Sequence, residues 1–185
     1  MSLDVIRKLL TTEISPNIED HTTKHSAVLI ALHGQECRII MTEKPKTMEH
    51  HAGEISFPGG KISPADSDLL DTAIREAGEE ISLHISRQDV IGQLSPVTTL
   101  NSGFTILPFV TILDDVPDLR PNEEVEEILY IPAIPFLSTM SPDTDPHHNS
   151  ISEMYTFSYQ SKMVWGASAR ILKQMADIFA QNKLI

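Results

Sequence analysis

A mixed α/β domain is predicted by three features of this chain. Short β-branched runs lie before and after a central amphipathic helix, a second amphipathic helix closes the sequence, and no repeat or long linker divides residues 1–185. At 185 residues the chain fits one domain with a core of its own. Its 41% hydrophobic and 22% charged residues are ordinary for a globular protein.

The N-terminal stretch MSLDVIRKLLTTE spaces its apolar residues as a short amphipathic helix. It lacks the apolar core and small-residue cleavage site of a signal peptide. Residues 26–33 and 37–41 are apolar, β-branched runs joined by Gly34, Gln35 and Glu36, which predicts a hairpin. Cys37, the sole cysteine, is expected inside the second strand as a small buried hydrophobe. A single cysteine excludes an internal disulfide and fits a reducing cytoplasm. Residues 42–51 are expected to be a loop, and residues 53–57 a strand feeding a turn at Pro58, Gly59 and Gly60.

Asp66 or Ser67 is the expected N-cap of the central helix. There Leu70, Ala73, Ile74, Ala77 and Ile81 recur at three- and four-residue steps and define an apolar face. Residues 91–100 and 104–113 are expected as two strands joined at Asn101, Ser102 and Gly103, and residues 128–131 as another. Residues 141–152, with two prolines and no periodicity, read as loop. Residues 155–159 and 162–165 form a closing hairpin, and Ala167, Ile171, Leu172, Met175, Ile178 and Phe179 mark the terminal helix.

Opposite the apolar face of the central helix stand Glu76, Glu79 and Glu80, with Arg75 the only nearby cation. Like charges one turn apart repel by a few tenths of a kcal/mol per pair. A hard divalent cation turns that repulsion into coordination and recruits substrate phosphates as further ligands. The alternative is a solvated acidic face with no ligand. The net charge of −12 argues against nucleic acid and anionic membranes as partners. No run approaches the ~18 apolar residues of a membrane span. His50, His51, His147 and His148 lack zinc-site spacing, and Ile62 after Lys61 excludes a P-loop.

Residues 60–83 resemble a Nudix box, G-x5-E-x7-R-E-U-x-E-E-x-G-U, where U is a bulky aliphatic residue. Here the step from Gly60 to Arg75 is one residue longer, Asp66 supplies the front acid, Ala77 fills the first U, and Ser82 replaces the late glycine. The insertion and the Asp resemble one branch, the coenzyme A pyrophosphatase-like Nudix hydrolases. That branch carries L-L-T-x-R-S-x3-R-x3-G-x3-F-P-G-G upstream. Gly53 and Phe57-Pro58-Gly59-Gly60 match it, whereas Lys44, Pro45 and Glu49 stand where Arg, Ser and Arg are expected. Lys is not equivalent to Arg for bidentate phosphate binding, so these differences bear on substrate choice. Ser102-Gly103-Phe104 with Pro108-Phe109-Val110, and residues 164–172, are similar to further segments of the branch.

The resemblance implies a Nudix-type α/β/α sandwich around a mixed β-sheet, as a single domain with its box at about 59–83. It implies Mg²⁺- or Mn²⁺-dependent cleavage of a nucleoside diphosphate linked to another moiety, with coenzyme A or a derivative first. The alternatives are an ADP-ribose, NADH or dinucleotide polyphosphate pyrophosphatase, or a non-catalytic nucleotide-sensing module. By resemblance, Glu76, Glu79, Glu80 and the Gly59 carbonyl hold the metal. Glu79, Glu80 and Arg75 are the catalytic set, with Arg75 orienting the glutamates. The general base is a box glutamate or one of Glu123, Glu124, Glu126 and Glu127. Lys44, His51, Gly60, Lys61 and Ser102 are the substrate-binding candidates, in a monomer or homodimer. Glu80 is expected to be an exposed carboxylate whose loss leaves the fold intact.

Overall fold

The computed structural model describes residues 3–19, 22–47, 52–99, 102–145 and 154–185. The elements run α1 (Leu3–Leu10), β1 (Lys24–His33), β2 (Arg38–Glu43), β3 (Ile55–Ser56), β4 (Gly59–Lys61) and α2 (Leu69–Ile81). A 3-10 turn (Arg87–Asp89) precedes β5 (Val90–Gln93), β6 (Val97–Thr98), β7 (Phe104–Leu113), β8 (Glu127–Pro132) and α3 (Ala133–Leu137). The chain closes with β9 (Ser141–Pro142), β10 (Tyr155–Tyr159), β11 (Lys162–Val164) and α4 (Gly166–Gln181).

β1 is the spine. Along it Val28, Ile30 and Leu32 join one hydrophobic cluster, and Ala27, Leu29 and Ala31 join the other. A strand apolar on both faces belongs at the centre of a sheet covered on both sides. It pairs in parallel with β7 over its full length and antiparallel with β2 and β4 on its other edge. Among the described residues eight strands form this mixed sheet, and β9, β10 and β11 form a small second one. The first cluster is closed by α1, α3 and α4, the second by α2 with Leu119 and Val125. The result is the expected α/β/α sandwich.

α2 forms for the expected reasons and starts one or two residues late. Its cap is Asp68, whose carboxylate accepts from the N–H groups of Leu70 and Asp71, and not Asp66 or Ser67. Leu69, Leu70, Ala73, Ala77 and Ile81 are buried. Each large apolar side chain so buried contributes roughly 1.5–3 kcal/mol. That outweighs the few tenths lost to each like-charge pair, so the acidic face is tolerated. The helix ends at Ser82 in a left-handed conformation, φ 57°. Glycine meets that geometry without strain, which explains why the box usually carries glycine there.

Other expectations need correction. Cys37 is buried but sits in the hairpin turn at φ 49°, before the strand rather than in it. Burial pushes its thiol up to about 11, which makes it inert as a nucleophile. β2 continues to Glu43, inside the expected loop, because β3 and β8 pair with its end. Gly59 and Gly60 are strand rather than turn, since β4 completes the edge of β1. Residues 91–100 form two strands rather than one, with Ser95 and Pro96 in the break. The helix α3 was hidden by Pro135, and Ser141 and Pro142 pair with β10 although they read as loop. No described helix is long and apolar enough to cross a membrane.

Candidate active site

β4 and α2 meet where the sequence placed the chemistry, and the contact depends on both glycines. Gly60 faces Ala27 and Gly59 faces Val28 across the β1–β4 pair. A Cβ on Gly60 would lie 2.4 Å from the Glu76 carboxyl, and one on Gly59 would lie 2.3 Å from the Ala27 carbonyl oxygen. The bare backbone therefore lets α2 lay its carboxylates on the strand. Gly59 donates its N–H to Glu80 Oε2 at 3.1 Å, so the bond at this residue comes from its amide, while the resemblance assigned its carbonyl to the metal.

Glu80 is not the exposed carboxylate expected: it is 4% exposed, because α2 turns it inward under β4. Burial raises its carboxyl to about 7, with the charges of Glu76 and Glu124 adding to the rise and Lys44 and the Gly59 amide opposing it. Lys44 Nζ stands 4.0 Å from Glu80 Oε1. Glu76 is also raised, first by burial, while Arg75 opposes the shift. Glu79 differs, since its side chain is 57% exposed and turned to Arg75.

Arg75 organises the cluster. Its guanidinium donates to both oxygens of Asp66 at 2.9 Å, to Glu76 Oε1 at 2.8 Å, to Glu79 Oε2 at 2.9 Å and to the Lys61 carbonyl at 3.2 Å. Asp66, whose side chain is 4% exposed, also accepts from Thr72 Oγ1 and the Ser63 N–H. The Arg75 hydrogen bonds hold its carboxyl down near 2. The front acid of the box thus anchors the arginine, a role that a spacing of nine residues did not reveal.

The four later acids separate clearly. Glu124 alone among them bears on both Glu76 and Glu80. The Glu124 N–H donates to Asn122 Oδ1, and Asn122 donates its own N–H to the Glu80 carbonyl, which fixes this loop to α2. Glu127 is bound to Lys162 at 3.0 Å, and Lys162 also bonds the buried Glu43. All four are exposed, so their partners and charges, not their burial, distinguish them. Ser102 is exposed, with its hydroxyl 2.7 Å from Thr99 Oγ1, and Lys61 is the exposed last residue of β4. His50, His51, His147 and His148 lie outside the described residues.

No three described His, Cys, Asp or Glu side chains are gathered into metal-holding geometry. The fit to a divalent ion rests on a pair. Glu76 and Glu80 meet at Gly59 and Gly60, both carboxyls are raised, and the set is all oxygen. One or two carboxylates completed by substrate phosphates is the usual Mg²⁺ arrangement, and Mn²⁺ accepts the same donors. The residues fit such an ion.

A methyl group tests the contact. Gly60→Ala is expected to displace the Glu76 carboxyl and lower kcat about a hundredfold, the scale of a 1 Å misplacement. The obstructing atoms end a flexible side chain, so a melting curve should move by only a few degrees. Wild-type kcat in this variant would refute the placement of Glu76.

Residues 23–158 match the NUDIX domain family. The chain is 31% identical over 183 residues to the Nudix hydrolase NudL of Yersinia enterocolitica, covering 94% of this chain and 91% of that protein. It is 33% identical over 160 residues to NudL of Yersinia pestis, covering 84% and 80%. Its fold is similar to that of a MutT/nudix family protein from Enterococcus faecalis, TM-score 0.61 at 11% identity, covering 97% of this chain and 67% of that one. A MutT protein from Methanosarcina mazei gives TM-score 0.58 at 18% identity, covering 90% and 99%. With the family match over residues 23–158 and relatives 31–33% identical over most of their length, the chain belongs to the Nudix family and is a pyrophosphohydrolase.

Proposed function

We propose that this enzyme hydrolyses the pyrophosphate bond of coenzyme A or a derivative, with Mg²⁺ or Mn²⁺ held by Glu76 and Glu80. The observation that carries the reading is the pair of raised carboxylates meeting at Gly59 and Gly60. When bound, the ion supplies charge neutralisation at phosphate oxygens and a more acidic water. The chain's own part is positional and electrostatic. Arg75 holds Glu76 and Glu79 in place and ties them through Asp66 to the start of α2. Lys44 offsets part of the Glu80 charge.

In the reaction, water attacks one phosphorus, the bridging P–O bond breaks, and the leaving phosphate takes the electron pair. Glu124 is our choice for the carboxylate that receives the proton of that water, because its charge bears on both Glu76 and Glu80 and it forms no ion pair among the described residues. Gly60 and Lys61, in β4, are assigned to substrate together with Ser102 in the turn before β7. Residues 1–185 are read as one domain, since the first hydrophobic cluster draws on residues from Leu3 to Leu184.

The second reading, an ADP-ribose or dinucleotide pyrophosphatase, is favoured by Lys44, which lies against Glu80 rather than free for a coenzyme A phosphate. A similar fold, that of the NUDIX domain of Shewanella oneidensis NrtR, was solved with ADP ribose at TM-score 0.52 and 13% identity. Incubating the protein and Mg²⁺ or Mn²⁺ with coenzyme A, ADP-ribose, NADH and a dinucleotide polyphosphate, with products read by mass spectrometry, decides between them. Preferential loss of coenzyme A supports the first reading, and preferential loss of another member supports the second. An untouched panel with tight ligand binding would favour a sensing module.

A further inference from the structure

At one end of the β2–β8 pair two carboxylates stand directly opposite each other. The register sets Glu43 across from Glu127, and across from Ile55 of β3 on the other edge of β2. Side chains alternate along β2, so Glu43 lies on the face of Ile39 and Met41, which belong to the first hydrophobic cluster. It is buried there. Like charges directly opposite across two strands drive them apart, and a buried carboxylate without a partner is costlier still.

A lysine from near the other end of the chain answers both problems. Lys162 Nζ bonds Glu43 Oε2 and lies 3.0 Å from Glu127 Oε2. The two carboxylates raise the pKa of the ammonium, Glu43 first, so it stays charged. Its backbone is held as firmly. Lys162 pairs with Tyr159 across the turn of the β10–β11 hairpin, and Phe157 and Val164 of that hairpin are buried in the first cluster. Phe136 packs on both Phe157 and Tyr159, with ring centres 5.7 and 6.4 Å away. Lys162 lies beyond residue 158, where the family match ends.

The clamp holds the junction from which two site residues leave the sheet. Lys44 follows Glu43, alternates onto the opposite face and stands 4.0 Å from Glu80 Oε1. The Glu43 carbonyl accepts the Glu126 N–H at 2.8 Å, and the Asn122 N–H reaches the Glu80 carbonyl at 2.9 Å. The loop carrying Glu124 is thus tied to α2 at one end and to β2 at the other. Glu127, where that loop enters β8, is the residue that Lys162 grips. We propose that Lys162 is a positioning residue for pyrophosphate hydrolysis. By joining Glu43 to Glu127 it keeps the ends of β2 and β8 together, and so sets Lys44 and Glu124 against the carboxylates of α2 from the far face of the sheet. The inference rests on the hydrolase reading above for the roles of Lys44 and Glu124.

Turnover and stability are measured together, on the panel member that wild type cleaves best and at a temperature where melting curves show every variant folded. Lys162→Met should lower kcat about tenfold with KM unchanged, short of the roughly hundredfold cost of a 1 Å displacement among the reacting groups. Lys162→Arg, whose fork can span two carboxylates, should keep the wild-type kcat. Glu43→Gln added to Lys162→Met removes the opposed charges and should recover most of the lost rate. Should Lys162→Met not fold, Lys162→Gln replaces it with the same expected fall, since it keeps a donor for Glu43 and lacks the charge. A folded variant with wild-type kcat overturns the proposal. So does a rate that Glu43→Gln fails to recover, because the lysine would then act other than through its carboxylates. Slower turnover that merely tracks the unfolded fraction overturns it too. If wild type cleaves no member of the panel, the hydrolase reading fails and this inference with it; an active wild type with an indifferent Lys162 sinks this inference alone.

Discussion

Glu80→Gln is expected to abolish turnover and, in the metal-free protein near pH 8, to raise the melting temperature. The loss follows from removing one of two carboxylates proposed to hold the ion, and should reach about a thousandfold in kcat, the upper range for deleting one electrostatic stabiliser. The gain follows from burial. The Glu80 carboxyl is raised to about 7, whereas in the unfolded chain it titrates near 4.3. Below about pH 4 both states hold the proton and the group costs nothing. As pH rises toward 7 the unfolded chain releases its proton first, so the stability of the metal-free protein falls across that window and then levels. Glutamine keeps an oxygen for the Gly59 N–H and carries no charge to bury. The expected gain is about 1–3 kcal/mol, or roughly 2–4 °C per kcal/mol for a chain of this size. Scanning calorimetry in a chelator at pH 5 and pH 8 reads it, the variant losing the downward slope. Adding Mg²⁺ should then stabilise wild type and leave Glu80→Gln unmoved. A variant that melts lower at pH 8, or keeps a tenth of wild-type kcat, would remove Glu80 from the site.

That sign could not have been reached from sequence. The step of four residues from Glu76 to Glu80 shows that the two share a helix face, and the apolar positions show which face is opposite. Neither shows that β4 lies over Glu80 and takes it out of water. The two glycines were legible as a place of close approach, but not the object approached, because β4 has too few residues to carry a strand pattern. Continuous apolar, β-branched runs made β1, β7 and β8 legible as strands, since each is apolar on both faces. Short elements set by pairing rather than composition were missed: β9, the extension of β2, and α3 with its internal proline. Among Glu123, Glu124, Glu126 and Glu127 no sequence signal distinguishes one from another. Backbone bonds from the Asn122 loop to α2, and the pairing of Glu127 with Lys162, separate them in space. Glu43 and Lys162 lie 119 residues apart in sequence and meet only in the folded chain.

Arg75→Ala is expected to be the most damaging single change outside the apolar core. The guanidinium satisfies both oxygens of Asp66, one oxygen each of Glu76 and Glu79, and the Lys61 carbonyl. Without it, Asp66 keeps only the Ser63 N–H and the Thr72 hydroxyl and is left buried and charged. Removing one partner of a buried pair costs about 3–5 kcal/mol, and Glu76 is freed to leave Gly60, so activity should fall as well. Arg75→Lys should recover part of the stability and little of the rate, because an ammonium cannot span Asp66 and two glutamates as a planar fork does. Acid separates the causes. The Asp66 carboxyl is held near 2, below its unfolded value, so its stabilising effect is present above about pH 4 and is lost as pH falls through 2. The stability deficit of Arg75→Ala should therefore be full at pH 6 and narrower at pH 3. Asp66→Asn combined with Arg75→Ala should cost less than the two changes summed, since each removes what the other needs. Additive costs, or a deficit at pH 6 under 1 kcal/mol, would show that Arg75 does not hold the start of α2 to its carboxylates.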